Sequence, residues 1–399
     1  MNLVYTEDVK SYLKKNNQPR FHFCLSDPPY EINHLGKWDN SRIAFDVQLY
    51  KLILSVLLPG AFALFYSSSR TMHRVMCAIE DAGFQLHKTM FAWVFSDGNP
   101  MGAHSVPRLS DNLFAKQHGG FCKCEFPDSH LIPNIGKFVA PVGLDVAFCA
   151  KCNLPIRQVT DMIQKSTSGG MKNLGGTGYN NKNIQVFTNP LTQESMALDD
   201  YVYGLGWSKP MLDPIIVAQK RWEEKTEIEN VVRYGTGVVR AKSQKRWPGN
   251  FMIQHTEFCD VDQCSPDCLI NNLGISEVDA KERFMNYYLS SEDIETQVLY
   301  ANRKSADREF GLQSRNTHPS VKPVSVNQML AELFLPPDLY APRCAYVPFS
   351  GSGSETIGLR LAGWDFVEST ELKNEYTDVH YNRYRAYFPE DEIVSVNYD

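Results

Sequence analysis

Two short runs of this 399-residue chain carry residue types that chemistry needs. The first is Asp27-Pro28-Pro29-Tyr30, which follows the apolar run FHFCL from Phe21 to Leu25. Such a run reads as a buried strand, and an acid at the carboxyl end of a parallel strand stands where open α/β sheets bind ligands. The prolines fix φ and keep the backbone extended, so the Asp27 carboxylate and the Pro28 carbonyl can converge on one donor. Tyr30 adds a π face on which a flat base can stack. These parts suit an exocyclic amine, whose hydrogens meet two acceptors while its lone pair is aimed at an electrophilic methyl. Taken alone, the tetrapeptide is equally a proline turn after a strand.

The second run is Pro348-Phe349-Ser350-Gly351-Ser352-Gly353-Ser354, between an expected strand (344–347) and an expected helix running to Ala362. Small residues here let a ligand approach the backbone, and the helix N-terminus favours an anion. No Gly-Lys-Ser/Thr follows, so it is not a Walker loop, and Thr356 breaks the G-x-G-x-x-G pattern. Glu371 lies 18 residues beyond Gly353, after the next strand, where an acid can take ribose hydroxyls. By itself this run also fits a tight strand–helix turn.

Together the two runs resemble a known family. LSDPPY is similar to motif IV of the S-adenosylmethionine-dependent amino methyltransferases, and PFSGSGSETIG to their cofactor motif I. HPSVKP (His318 to Pro323) resembles their motif X. The order IV, long insert, X, I is that of the β class of DNA amino methyltransferases. The stretch from Leu57 to Phe95, with DPIIVAQK, YGTGVV and KRWPGNF in the middle, resembles phage and prophage DNA methylases of restriction-modification type.

The resemblance implies a Rossmann-like α/β fold with a seven-stranded methyltransferase sheet. Residues 1–95 and 320–399 would build it, around an inserted target-recognition region at 96–319. It implies catalytic roles for Asp27, Pro28, Pro29 and Tyr30, with Tyr30 stacking on a flipped base. Phe349, Gly351 and Gly353 would wrap S-adenosylmethionine, Glu371 would hold its ribose, and Lys322 would reach its carboxylate. Asp8, in YTEDV, resembles the acid that meets the cofactor adenine, and it reads equally well as a helix cap. The family usually has Asp-Pro-Phe in motif I, whereas this chain has Val347-Pro348-Phe349, which weakens the expected grip on the cofactor. An Asp at the first position of motif IV goes mostly with adenine, so N6 of adenine in duplex DNA is the expected target. N4 of cytosine and RNA are the near rivals. A non-catalytic, zinc-containing DNA-binding protein on a degenerate scaffold is the rival of another class. A homodimer and a cognate restriction nuclease are partners compatible with the resemblance.

The elements that would position these residues are legible as periodicity. Phe45 to Leu58 is apolar at helical spacing, and Ala61 to Tyr66 reads as a second buried strand. Met72, Val75, Met76 and Ile79 mark a helix with serines before it and Gly83 after. Regular α/β character is lost from Ser96 and returns at Val324, where Val326, Leu330, Leu333 and Phe334 share a helix face.

Composition sets few limits. The net charge of −6 announces no global field for nucleic acid, although a local basic cleft would suffice. Such a stretch is Arg233, Arg240, Lys242, Lys245 and Arg246, with no acid from Arg233 to Trp247. Alone it fits a solvated face, and its place in the expected insert favours DNA phosphates. The apolar stretch from Leu52 to Tyr66 has 15 residues and is broken by Pro59-Gly60, short of the roughly 20 a membrane helix needs. A cytoplasmic protein is expected.

Cys122, Cys124, Cys149 and Cys152 form two close pairs suited to a tetrahedral zinc, and His255, Cys259, Cys264 and Cys268 form a weaker second group. Protein purified without chelators should therefore hold at least one zinc per chain. Absence of zinc by metal analysis, with all four thiols of the first group titrating freely in the native protein, would refute this.

Overall fold

A computed structural model describes residues 2–32, 37–94, 113–120, 212–240, 250–254 and 320–397, with shorter pieces between them that include Cys152, Asn316 and His318. The chain divides into two compact units, Met1–Asp97 with Met211–Asp399, and Gly98–Pro210.

The first unit is built on one sheet. Its strands in chain order are β1 (Asn2–Thr6), β2 (Phe21–Ser26), β3 (Leu57–Tyr66), β4 (Gln85–Leu86), β5 (Phe91–Val94), β6 (Leu212–Gln219), β7 (Phe251–Gln254), β8 (Met285–Tyr287), β9 (Cys344–Pro348), β10 (Phe366–Glu371) and β11 (Ile393–Asn397). They lie in the order β8-β7-β5-β6-β3-β2-β9-β10-β1-β11, with β4 paired to β6. All pairings are parallel except those of β6, which runs antiparallel to β3, β4 and β5. The sheet thus has eleven strands among the described residues, not the expected seven. Three of them, β6, β7 and β8, come from within 96–319, so part of that segment belongs to the sheet rather than to an insert.

Among the helices that accompany these strands are α1 (Val9–Lys15), α2 (Val47–Val56), α3 (Met72–Asp81), α4 (Glu227–Tyr234), α5 (Val324–Leu333), α6 (Ser354–Leu361) and α7 (Asn374–Tyr387). Side-chain alternation sorts the core onto two faces. Ala61, Ala63, Phe65 and Tyr346 pack with Leu13, Ile53 and Ile79 of α1, α2 and α3. Phe62, Leu64, Tyr66, Ala345 and Val347 face the other way, toward Val326 and Leu330 of α5 and Leu359 of α6. Burial on both faces explains the near-continuous apolar reading of FHFCLS and LLPGAFALFY.

The break read at Pro59-Gly60 lies inside β3 instead of before it. Asn230 Nδ2 and Thr236 Oγ1 donate to the Pro59 carbonyl, and Gln219 Nε2 donates to that of Gly60 at 3.0 Å. Gly60 has φ +79°, and a Cβ there would stand 2.5 Å from Asn230 Nδ2.

The second unit contains a three-stranded antiparallel sheet of Met171–Asn173, Val159–Lys165 and Ile184–Thr188. Two short antiparallel pairs accompany it, His104–Ser105 with Val202–Tyr203, and Phe138–Val139 with Phe148–Cys149. Among the described residues no helix is long and apolar enough to cross a membrane.

Trp364 anchors the second of the two core faces. Fully buried, it stacks on Phe23 at 5.4 Å between ring centroids and donates its indole N–H to the Ala331 carbonyl at 3.1 Å. Trp364→Ala should cost about 3–5 kcal/mol of stability, read by urea denaturation. A loss below about 1 kcal/mol would contradict this packing.

Candidate active site at the switch between two neighbouring strands

From β9 the chain passes through α6 to β10 on one side of the sheet, while from β2 it passes through α2 to β3 on the other. The carboxyl ends of β2 and β9 therefore flank a topological switch point, where open α/β sheets form a ligand crevice. Cys24 is in register with Tyr346, and Asp27 and Phe349 each follow three residues later, just past the ends of the two strands. The two sequence motifs meet at this place.

Asp27 is held by Lys322, whose ammonium lies 2.8 Å from Oδ2 and also reaches Ser320 Oγ at 3.3 Å. The Lys322 side chain is 3% exposed and that of Asp27 13%. Among the described residues Asp27 Oδ1 is buried with no hydrogen-bond partner. The Lys322 ammonium also stands over the rings of Tyr30 and Tyr66, at 4.8 and 5.2 Å from their centroids. Burial works against its charge, but Asp27, Asp213 and Glu355 together outweigh burial and hold the Lys322 pKa above its ordinary value. Lys322 was expected to reach a cofactor carboxylate; it is committed to Asp27.

Tyr30 donates its hydroxyl to Asp213 Oδ2 at 3.1 Å, and its own carbonyl accepts from Thr71 Oγ1 at 2.8 Å. Burial, with Asp213 and Asp27 adding to it, pushes the Tyr30 phenol well above its ordinary pKa. Burial likewise pushes the Cys24 thiol up, so this cysteine of β2 is no nucleophile at neutral pH. Trp93 is 6% exposed and belongs to the core.

The glycine loop is tightly packed. Phe349, Gly351 and Gly353 have φ of +58°, +48° and +85°. A Cβ on Gly351 would meet His318 Nε2 at 2.8 Å, and one on Gly353 would meet His380 Cδ2 at 2.3 Å, so neither position admits a side chain as it stands. Arg383 is fully buried and ties the loop from behind, donating to the Ser352 carbonyl at 2.7 Å and to Ser354 Oγ at 3.1 Å. Burial and Arg383 push His380 down to about 3, so it is neutral. Val347 lies in β9, fully buried in apolar surroundings.

Glu371, at the end of β10, accepts from the Gly351 N–H at 2.9 Å and from the Lys373 N–H at 3.1 Å. Burial raises its pKa. Asp8 caps α1, with Oδ1 accepting from the Ser11 N–H at 2.9 Å. Glu7, one residue earlier, was not anticipated. Its N–H donates to the Glu371 carbonyl at 2.9 Å, one carboxylate oxygen pairs with Lys15, and Oε2 is buried with no partner among the described residues.

Sequence reasoning also missed Asp213, Tyr66, Asn327 and Glu355. Tyr66 donates to Asn327 Oδ1 at 2.8 Å, and Asn327 Nδ2 reaches Glu355 Oε1 at 3.5 Å. The family resemblance had pointed to DPIIVAQK, which begins at Asp213, but a partner across the sheet has no signature in sequence.

Of the expected DNA-contacting residues, Arg233 and Arg240 are exposed. Arg233 pairs with Glu224 and lies over the Tyr234 ring at 4.9 Å. Lys242, Lys245 and Arg246 lie outside the described residues. So do Cys122 and Cys124, and all four residues of the second zinc group. Cys149 ends a short strand, and Cys152 is half-buried. Among the described residues no group of three or more His, Cys, Asp or Glu could hold a metal ion.

Removing one partner of the buried pair leaves the other uncompensated. Lys322→Met should cost about 3–5 kcal/mol, and adding Asp27→Asn to it should recover part of that loss. Chemical denaturation of the two variants checks this, and a single variant as stable as the parent would refute the pairing.

No family model matches the chain, and no curated protein matches it. Solved structures do. The M1.HpyAVI–SAM complex aligns over 96% of this chain and 98% of its own at 10% identity and a TM-score of 0.40. A putative DNA modification methylase from Thermus thermophilus, complexed with S-adenosyl-L-methionine, aligns over 99% and 100% at 10% identity and a TM-score of 0.40. PvuII DNA methyltransferase, cytosine-N4-specific, aligns over 96% and 86% at 11% identity and a TM-score of 0.40. At such identities and TM-scores these likenesses transfer no substrate and no residue role to this chain.

Proposed function

We propose that this chain is an S-adenosylmethionine-dependent methyltransferase acting on the exocyclic N6 of adenine in duplex DNA. The observation that carries the reading is the state of Asp27. Its Oδ2 is fixed by Lys322, while its Oδ1 is buried and without a partner among the described residues, at the end of the strand beside the one that leads into the glycine loop. A buried acceptor without a donor is costly, and an amine hydrogen removes that cost.

The residues at the crevice fit the cofactor. Glu371 and Glu7 Oε2, the latter without a partner among the described residues, stand at the adjoining strand ends as acceptors for adenosine donors, beside a loop whose left-handed turns Gly351 and Gly353 allow. Asp8 lies beside them. Val347 removes one acid that the family resemblance leads one to expect, and these two glutamates remain. When bound, the cofactor supplies an electrophilic methyl on a sulfonium.

Asp27 Oδ1 and the Pro28 carbonyl accept the two amine hydrogens and turn the nitrogen lone pair toward that methyl. Methyl transfer to that nitrogen would leave the cofactor as its thioether and the nitrogen with one proton to lose. Asp27 Oδ1 is the acceptor placed to take it. Lys322 covers one face of the Tyr30 ring, so a stacked base takes the other. The choice of adenine rests on the Asp27 resemblance alone. Arg233, Arg240, Lys242, Lys245 and Arg246 are the proposed phosphate contacts. A zinc on Cys122, Cys124, Cys149 and Cys152 would rigidify its segment and take no part in the chemistry.

Asp27→Ala should retain S-adenosylmethionine binding and lose methyl transfer by about 10²–10³ in rate. Nucleoside mass spectrometry of treated plasmid reads the product. Near-normal turnover would remove Asp27 from the mechanism; N4-methylcytosine alone would overturn the base, and failure to bind the cofactor would favour the non-catalytic DNA-binding reading.

A further inference from the structure

Beneath the glycine loop lies a carboxyl group for which the methyl transfer itself has no use. Glu355 stands in the first turn of α6, two residues after Gly353, and is 4% exposed. Its side chain meets Asn327 Nδ2 at a long 3.5 Å. Asn327 in turn takes the hydroxyl of Tyr66, the ring that lies under the Lys322 ammonium. Glu355 therefore shares one buried polar cluster with Asp27, Lys322 and the loop.

The charged groups that face it are few. Burial and Asp27 oppose its ionisation, a hydrogen bond from its own backbone N–H together with Lys322 and Arg383 favours it, and the balance lifts its carboxyl to about 7. Tyr66 is kept neutral by burial and by Glu355. His380, also neutral, adds no charge to the loop. Lys322 is already paired with Asp27 and Arg383 with the loop serines, so neither is wholly available to Glu355.

We propose that Glu355 is a positioning residue that exchanges its proton against the charge of the cofactor: it holds its proton more fully in the free protein than when a sulfonium lies between the glycine loop and Asp27. The inference rests on the methyltransferase reading. An amine held by Asp27 could reach a methyl only with the sulfonium near Asp27, and Asp27 and Glu355 already sense each other's charge. A cation at that place favours the carboxylate. Binding then releases a proton, and by linkage the cation binds more tightly where Glu355 has already lost it. The sign follows: the carboxyl has the higher pKa in the free protein and the lower one in the complex. Affinity for the sulfonium form should thus fall as pH drops through about 7, by at most about tenfold per pH unit, the slope for one proton. The product thioether carries no such charge. Glu355 would hold the sulfonium form in preference to the thioether, more so at higher pH.

The test is titration calorimetry of the full chain with S-adenosylmethionine and with S-adenosylhomocysteine, at pH 6 to 8, in buffers of different ionisation enthalpy. The α-amino group is common to both ligands and largely cancels in the comparison. The expected result is a proton release with the sulfonium form in excess of that with the thioether, and an affinity ratio that widens severalfold from pH 6 to pH 8. Glu355→Gln should bind both and lose the excess. Infrared difference spectra of the unaltered protein give a second readout, in which a protonated-carboxyl band disappears with the sulfonium form and persists with the thioether. Equal proton release for the two ligands, an unchanged excess in Glu355→Gln, or a persisting band would overturn the inference while leaving the methyltransferase reading intact. Binding of neither ligand would overturn both.

Discussion

A carboxylate and an ammonium 2.8 Å apart, nearly out of water and separated by 295 residues of chain, tie the end of β2 to the segment that leads into α5. Removing two charges from water is expensive, and their mutual attraction offsets that cost only when further polar groups complete the set. Here Ser320 takes another hydrogen of Lys322, two tyrosine rings cover it, and Asp213 adds negative charge. The arrangement leaves Asp27 Oδ1 as the acceptor with nothing to accept. A surface aspartate would have water on both oxygens and no fixed direction. This one is presented in a single orientation, which is what preorganised chemistry needs.

The loop on the neighbouring strand is held by different means. Its shape is set by backbone conformations, and close packing of His318 and His380 excludes side chains at Gly351 and Gly353. Arg383 and Glu371 add hydrogen bonds from behind and from the side. One wall of the crevice is thus a backbone cradle and the other a charged side-chain cluster. The parallel register of β2 with β9 sets their separation, and Trp364 against Phe23 keeps the underlying strands and helices from sliding.

The parts legible in the sequence are those whose causes are local. The apolar run before Asp27 and the glycine spacing after Val347 follow from burial on two faces and from backbone geometry, and both stand where the periodicity put them. The partners of those residues were not legible. Lys322 finds Asp27, and Tyr30 finds Asp213, across hundreds of residues, and nothing near either one in sequence marks the contact. Asp213 was hidden for a further reason. It begins a strand, yet that strand runs antiparallel to its neighbours, so its first residues reach the same edge as the last residues of β2. Pro59-Gly60 misled because a proline–glycine pair ordinarily ends a strand, whereas here Asn230, Thr236 and Gln219 satisfy the freed carbonyls. The two readings of Asp8 were left even by sequence; the capping bond to Ser11 gives that carboxylate a structural task, and the unpartnered acceptor is Glu7.

The charge of the crevice constrains what can enter it. Glu7, Asp27, Asp213, Glu355 and Glu371 stand around or beneath it, and Lys322 and Arg383 are the buried cations set against them. Such a place favours a ligand that is cationic or rich in hydrogen-bond donors, and it disfavours phosphate. A nucleic-acid substrate could therefore offer only an uncharged base to the carboxyl edge of the sheet, with its backbone kept outside. That is the geometry of a base turned out of its stack, and it costs a few kcal/mol that stacking and hydrogen bonding within the crevice must offset. Phosphates would need cations elsewhere, and the exposed Arg233 and Arg240 lie on the segment richest in them. Arg233 is already paired with Glu224, so its contribution requires that pair to open, a small penalty for an exposed ion pair and one that salt reduces further.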